Sequence, residues 1–301
     1  MYRVVNIYFK IDGIKCYTII MAIVEEAKIC LTWFGVGGLI FFLSLFDLSF
    51  LQNQLSIALI GHIIVSNIII YFGYRQKIKS YHVAVRALGL GHAFGLGLIL
   101  ALSTSSVRLF GWYVTVLAFF HVSEYMTTAL TNSKTLTLES FLLDHSREYH
   151  MAAGLSLVEF AVEWYFFGAY KVPNWISMFG LVMVLCGEFT RKLSMITAAT
   201  NFHHYVQERR QRDHELVTHG IYSWFRHPSY VGWFYWSIGT QVMLCNPVCI
   251  IGYSFASWKF FEGRIHYEEI CLLNFFGESY REYQKKVPTG LPFIKGYIPT
   301  Y

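Results

Sequence analysis

The stretch Leu216-Val217-Thr218-His219-Gly220-Ile221-Tyr222-Ser223-Trp224-Phe225-Arg226-His227-Pro228-Ser229-Tyr230 decides how this chain is read. It is the long polar and aromatic segment between two apolar blocks of membrane grade. Tyr222, Arg226, His227 and Tyr230 are groups that can hold a charged small molecule. Pro228 stops any helix from running through, because it lacks an N–H and restricts the residue before it. The same proline can open a new helix at its first turn without losing a needed donor. The N–H groups of that turn then suit an anion. The segment reads as a cradle for a charged ligand.

Downstream, Val231–Leu244 and Val248–Phe261 form two short apolar spans with Asn246-Pro247 between them. Each is near the roughly 17-residue lower limit for crossing a hydrocarbon core. The pair is expected to be a tight transmembrane hairpin, with a re-entrant pair that does not cross as the alternative. Arg264 and Glu268 follow, four residues apart and so on one helical face. A surface ion pair explains such spacing about as often as a site does. Here the pair emerges from a membrane span at headgroup depth, where an arginine can hold a carboxylate through two bonds. Glu268 can accept bonds from ligand hydroxyl or ammonium groups.

Upstream, apolar runs predict six further spans: 32–50, 57–74, 87–102, 109–127, 151–170 and 175–197. The third is rich in glycine (Gly89, Gly91, Gly95, Gly97), which suits close helix contact in lipid, within one molecule rather than between copies. Residues 198–212 read as a helical continuation that turns polar and leaves the bilayer. Composition agrees: only 14% of the 301 residues are charged, against about a quarter in soluble domains. The expectation is an all-α polytopic membrane protein with about eight transmembrane helices, forming one membrane domain over 1–301. Its parts are an interfacial lead-in (1–31), six spans (32–197) and a C-terminal region (198–301) that carries the chemistry around the hairpin 231–261.

With the N-terminus cytoplasmic, all of the 24 Lys and Arg residues except Arg108 and Lys171 fall on the cytoplasmic side. The positive-inside rule therefore puts both termini, the cradle, Arg264 and Glu268 in the cytoplasm. The basic residues form no single stripe, so nucleic acid is not an expected partner. The six cysteines form no CxxC pair and read as free thiols. His203 and His204 are adjacent, face different sides of a helix and have no Cys, Asp or Glu at ligand spacing; metal is not expected. There is no GxGxxG after a strand, no P-loop and no nucleophile elbow, so any cofactor must bind within the membrane fold itself. The lead-in carries too many charges for a cleavable signal, and no CaaX or KDEL-type address ends the chain.

Three runs together carry a family resemblance. The first is His214-Glu-Leu-Val217-Thr-x-Gly220-x-Tyr222-x-x-x-Arg226-His227-Pro228-Ser229-Tyr230-x-Gly232. The second is Arg264-x-x-x-Glu268-Glu269, and the third Phe276-Gly277-x-x-Tyr280-x-x-Tyr283, continuing through Val287-Pro-Thr-Gly-Leu-Pro-Phe293. The chain resembles the isoprenylcysteine carboxyl methyltransferases, as an animal member; the motifs cover Gln207 to Phe293. The resemblance implies an endoplasmic-reticulum enzyme that uses S-adenosylmethionine to methylate the α-carboxylate of a C-terminal farnesyl- or geranylgeranyl-cysteine. Its partners would be small GTPases and other CaaX proteins, met in the lipid bilayer by a monomer. By position, Gln207, His214, Glu215, Leu216, Val217, Tyr222, His227, Pro228, Ser229, Tyr230 and Glu268 would contact the cofactor. Arg264 would meet the substrate carboxylate as the catalytic residue.

A broader group that includes phospholipid N-methyltransferases shares the RHPxY and double-glutamate core. An amine acceptor, however, must lose a proton to a base or an acidic surrounding, and Arg264 is placed for an anion. A sterol-type reductase would need a larger basic pocket for a nicotinamide cofactor. A non-enzymatic scaffold would leave Arg264 and Glu268 incidental. The carboxyl methyltransferase reading accounts for the most residues, and it predicts a cytoplasmic cavity for cofactor and a lateral opening for lipid.

Overall fold

A computed structural model describes residues 7–11, 14–18, 24–45, 52–104, 106–144 and 146–298. Two strands, β1 (Ile7–Ile11) and β2 (Ile14–Thr18), pair antiparallel in what reads from sequence as a lead-in. The rest of the regular structure is helical: α1 (Glu25–Gly38), α2 (Ile40–Leu45), α3 (Gln52–Tyr74), α4 (Ile78–Leu102) and α5 (Arg108–Thr131). Then come α6 (Arg147–Phe167), α7 (Trp175–Ala198), α8 (Pro228–Leu244), α9 (Pro247–Phe276) and α10 (Glu278–Lys286).

Several boundaries differ from the apolar runs, for physical reasons. The first helix starts at Glu25 rather than Thr32. Glu25 and Glu26 suit a helix N-terminus, and they meet Lys77 and Lys79 at 3.5 and 3.0 Å. It breaks at Leu39, and the rest of the expected span, 46–50, lies outside the described residues. α4 starts at Ile78, nine residues before the expected Ala87. The helix expected over 198–212 does not form. α7 stops at Ala198, Ala199 takes φ +48°, and the Asn132 side-chain amide bonds the Thr200 and Phe202 carbonyls at 3.1 Å each. Those carbonyls are withdrawn from any helical ladder, and 202–219 runs on as an irregular strap with bends and a turn.

The surface pattern is that of a protein in lipid. Helices Ile57–Tyr74 and Ile78–Leu102 are long and apolar enough to cross a membrane by themselves. α3, α6, α7 and α9 turn Ile, Leu, Val and Phe side chains outward while Glu124, Arg191, Gln241 and Asn246 are buried. Exposed apolar area on that scale is not tolerated by a water-soluble monomer.

α7 and α8 form the most intimate pair because glycines let their backbones touch. A Cβ on Gly187 would lie 2.6 Å from the Gly232 carbonyl oxygen, and one on Gly232 would lie 2.6 Å from the Arg191 nitrogen. In the glycine-rich α4, Gly91 faces the α1 backbone and Gly97 faces Thr115 of α5, so both serve packing within the chain. α8 and α9 are joined through Cys245 and Asn246 alone. That tight connection is held by Lys171, whose ammonium bonds the Leu244 and Cys245 carbonyls and the Asn246 side chain at 3.0, 2.7 and 3.0 Å. At the other end of the pair lies the site.

Candidate functional site

Pro228 opens α8, and its first turn forms one wall of a cavity. The strap between α7 and α8 forms the roof, and the polar end of α9 with α10 forms the floor. Gln207, His214, Glu215, Leu216 and Val217 line the cavity from the strap, and Tyr222 from the turn after it. His227, Pro228, Ser229 and Tyr230 line it from the α8 start, and Glu268 from α9. Every residue expected at the cofactor therefore meets in one space, although the sequence separates Gln207 from Glu268 by most of the C-terminal region.

Three ties hold the strap along α9. The Arg264 guanidinium donates to the His204 carbonyl, the Tyr267 hydroxyl to Glu208 at 2.8 Å and Arg210 to the Phe275 carbonyl at 2.8 Å. Asn201 receives the Glu215 amide at 2.8 Å. The His214 ring sits among Phe275, Phe276 and His203. Burial, and then the Arg210 charge, lower its pKa against the opposing pull of Glu268, so it is neutral at pH 7. Its Nδ1 is sealed from solvent and has no partner among the described residues. A buried orphan acceptor or donor is costly, and a ligand polar group in the cavity would satisfy it.

Arg264 lies beside the cavity wall rather than in it. Its Nε donates to the Tyr230 hydroxyl at 2.8 Å, and that hydroxyl donates onward to Glu268 Oε2 at 2.5 Å. The guanidinium also stacks over the Tyr230 ring at 5.3 Å. Of the five N–H groups on an arginine, both on Nη1 and one on Nη2 stay unused by the described residues, and they can meet a carboxylate end-on. His227 stacks on Tyr230 with rings 5.5 Å apart and 4° from parallel. Its Nε2 lies 3.1 Å from Glu269.

Arg226 has a different role from the one its place in the cradle suggests. It donates to Glu269 at 2.8 Å and to the Gln284, Val287 and Lys295 carbonyls. Four of its five N–H groups serve the fold. Glu269 also accepts from Tyr280, Gln284 and the Tyr297 amide. Burial would raise its pKa, but the hydrogen bonds and charges of His227 and Arg226 hold it down at about 2.

Sequence reasoning missed a second ionic cluster behind the cradle. Glu124 of α5, fully buried, accepts from Arg191 at 2.6 and 2.8 Å, from Lys192, and from His204 at 3.0 Å. Arg191 also bonds Ser229 at 2.9 Å and lies 4.7 Å from the Trp233 ring. Glu124 thus fixes both His204, whose carbonyl holds Arg264, and the start of α8. Charged residues inside apolar spans were the available signal. Asn201, Phe202 and Phe275 also line the cavity, with no motif to mark them.

The lipid-facing helices, with a cavity of mixed polar and apolar lining at one end, define a membrane-embedded protein. Residues 180–274 match the isoprenylcysteine carboxyl methyltransferase (ICMT) family. Over 280 residues the chain is 50% identical to a Xenopus laevis protein-S-isoprenylcysteine O-methyltransferase, covering 91% of this chain and 96% of that protein. The Homo sapiens protein of the same name is 50% identical over 272 residues, covering 90% and 94%. The Tribolium castaneum one is 44% identical over 273 residues, covering 90% and 97%. A solved eukaryotic intramembrane Ras methyltransferase is similar with a TM-score of 0.86 at 42% identity, covering 91% of this chain and 99% of that one. The chain belongs to the isoprenylcysteine carboxyl methyltransferase family. It is an enzyme that methylates the carboxyl group of prenylated cysteine.

Proposed function

We propose that the cavity binds S-adenosylmethionine and that Arg264 receives the α-carboxylate of a C-terminal farnesyl- or geranylgeranyl-cysteine, as left on CaaX-processed proteins such as small GTPases. The observation that carries this is the shared Tyr230 hydroxyl, which joins Arg264 outside the cavity to Glu268 on its lining. The cofactor supplies a sulfonium-bound methyl group that passes to a carboxylate oxygen, leaving the sulfur as a neutral thioether. The residues present fit it: Glu268 offers a carboxylate for hydroxyl or ammonium groups, the α8 first turn suits a carboxylate, and His214 Nδ1 awaits a partner.

The substrate carboxylate is ionised at pH 7, so the enzyme needs no general base. Its work is alignment and removal of water. Arg264 stays charged throughout and holds the nucleophile by its free N–H groups. Tyr230 and the His204 carbonyl fix the plane of the guanidinium. Aromatic side chains on the lining limit hydration of the reacting groups. The prenyl chain, with roughly 0.8 kcal/mol per buried CH₂, arrives from the bilayer between helices.

We further propose the setting: eight transmembrane helices, the last two being α8 and the apolar part of α9, in a monomer of the endoplasmic-reticulum membrane with both termini cytoplasmic. The distribution of basic residues supports the orientation. The test is transfer of labelled methyl from S-adenosylmethionine by purified protein to a prenylcysteine analogue or to phosphatidylethanolamine. Base-labile label on the prenylcysteine is expected. Label on the phospholipid alone, or no cofactor binding, overturns the proposal.

A further inference from the structure

Phe293 is the most exposed of the large apolar side chains in the described residues, at 93%, and its backbone is left-handed, with φ +62°. Both features are unfavourable in water for a bulky aromatic residue. Yet the turn that presents it is built firmly. The Thr289 hydroxyl donates to the Ile294 carbonyl at 2.5 Å across its base. Leu291 and Ile294 are buried with Val231 and Phe234 of α8 and Phe261 and Ile265 of α9. Phe293 is therefore held outward by a packed turn, and something apolar must cover it.

The neighbouring surface of α9 identifies the cover. Val248, Ile251 and Phe255 form one exposed apolar stripe at helical spacing, each about 70% exposed (72%, 73% and 69%). Trp258 continues that stripe, and its indole N–H donates to the Pro292 carbonyl at 2.9 Å. A tryptophan at the end of an apolar stripe, followed by the exposed pair Lys259–Glu262, has the chemistry of a membrane–water boundary. Phe293 thus stands beside that boundary, adjoining the lipid-facing surface. Exposed Lys295 lies two residues on, at the rim of a groove lined by Phe225, Leu291 and Ile298.

We infer that the turn at residues 289–294 is an interfacial wedge, with Phe293 inserted at the acyl-chain boundary of the bilayer beside Trp258 and Lys295 reaching lipid phosphate. The wedge is tied straight to the cradle: the Arg226 amide donates to the Pro288 carbonyl at 2.8 Å and the Arg226 side chain to the Lys295 carbonyl at 3.0 Å. Insertion therefore sets the height of the cavity relative to the lipid from which a prenyl chain comes. The inference rests on α9 being a membrane helix, and the experiment separates the two.

The test places a nitroxide label, one site at a time, on Phe293→Cys, Phe255→Cys and Glu278→Cys in full-length protein. The protein is reconstituted in phosphatidylcholine–phosphatidylserine vesicles, and the signal of the parent protein, in which Cys186 is an exposed thiol, is subtracted. Relaxation by lipid-soluble oxygen is compared with relaxation by an aqueous nickel chelate. The expected oxygen-to-nickel ratio at 293 is several-fold above that at 278 and approaches that at 255. A ratio at 293 equal to that at 278, with 255 in lipid, overturns the wedge alone. An aqueous 255 overturns the membrane reading of α9 and the wedge with it. Should labelled Phe293→Cys not reconstitute, a label on Ile298→Cys reads the same surface, with the same two outcomes.

Discussion

Arg264 and Glu268 stand one helical turn apart on α9, yet they meet through the Tyr230 hydroxyl of α8, which accepts from the arginine at 2.8 Å and donates to the glutamate at 2.5 Å. A direct i,i+4 ion pair on a surface would contribute only a few tenths of a kcal/mol. A hydroxyl bonded to two charged groups couples the proposed substrate side to the proposed cofactor side. Tyr230→Phe removes that coupling and little volume. Hydrogen bonds to charged groups contribute about 1.5–3 kcal/mol each, so kcat/KM for methyl transfer should fall by about 10- to 100-fold. Retention of full activity in a steady-state assay would show that Arg264 is held well enough by His204.

Arg264→Ala should lose nearly all turnover while cofactor affinity, measured by calorimetry, stays within a few-fold. Arg264→Lys is expected to restore little, since an ammonium presents no planar fork. Loss of cofactor binding in Arg264→Ala would transfer the arginine to the cofactor side of the site.

Glu268→Gln and His227→Ala should act in the opposite sense. Glu268 lines the cavity, and His227 stacks on the tyrosine that bonds it. Each is expected to weaken S-adenosylmethionine binding about 10-fold or more, on the scale of one charge-assisted bond. Unchanged affinity in both variants would remove them from the cofactor's contacts.

Local features were the legible part. Apolar runs located the helices because composition alone decides what can face lipid, and Pro228 marked the start of α8. Residue types with family spacing gathered the cavity lining from Gln207 to Glu268. Pairings across long stretches of chain were not legible. Nothing near Arg226 announces that its guanidinium is taken by carbonyls of the C-terminal turn. Nothing in 198–212 announces that Asn132, far upstream, ends the helix by taking two carbonyls. Helical periodicity gives the phase of one element and says nothing of which distant side chain meets it.

Glu269 predicts an acid limb of stability. Its folded pKa, about 2, lies below that of an unfolded glutamate, near about 4.3. The unfolded chain therefore takes up the proton first as pH falls. The stabilisation is complete above about pH 5 and is lost progressively as pH falls from there towards 2. Glu269→Gln cannot titrate, so its stability in detergent should be lower at pH 7 and should change less over that window. Parallel acid profiles for the two proteins would deny Glu269 this role.

Glu124 should matter more for folding than any residue of the cavity wall. It takes two bonds from Arg191 and one each from Lys192 and His204, all with little or no exposure. Removing one partner of a buried ionic cluster leaves the others uncompensated and costs about 3–5 kcal/mol. Glu124→Ala strands two cations and is expected to lower Tm by roughly 5–8 °C in detergent. Glu124→Gln keeps the shape and an acceptor, and should lie between. Because His204 presents the carbonyl that Arg264 uses, Glu124→Gln should also raise KM for prenylcysteine more than it changes cofactor affinity. A variant with lowered Tm and unaltered kinetics would confine Glu124 to the fold; equal losses for both ligands would mean that the whole cradle has shifted with it.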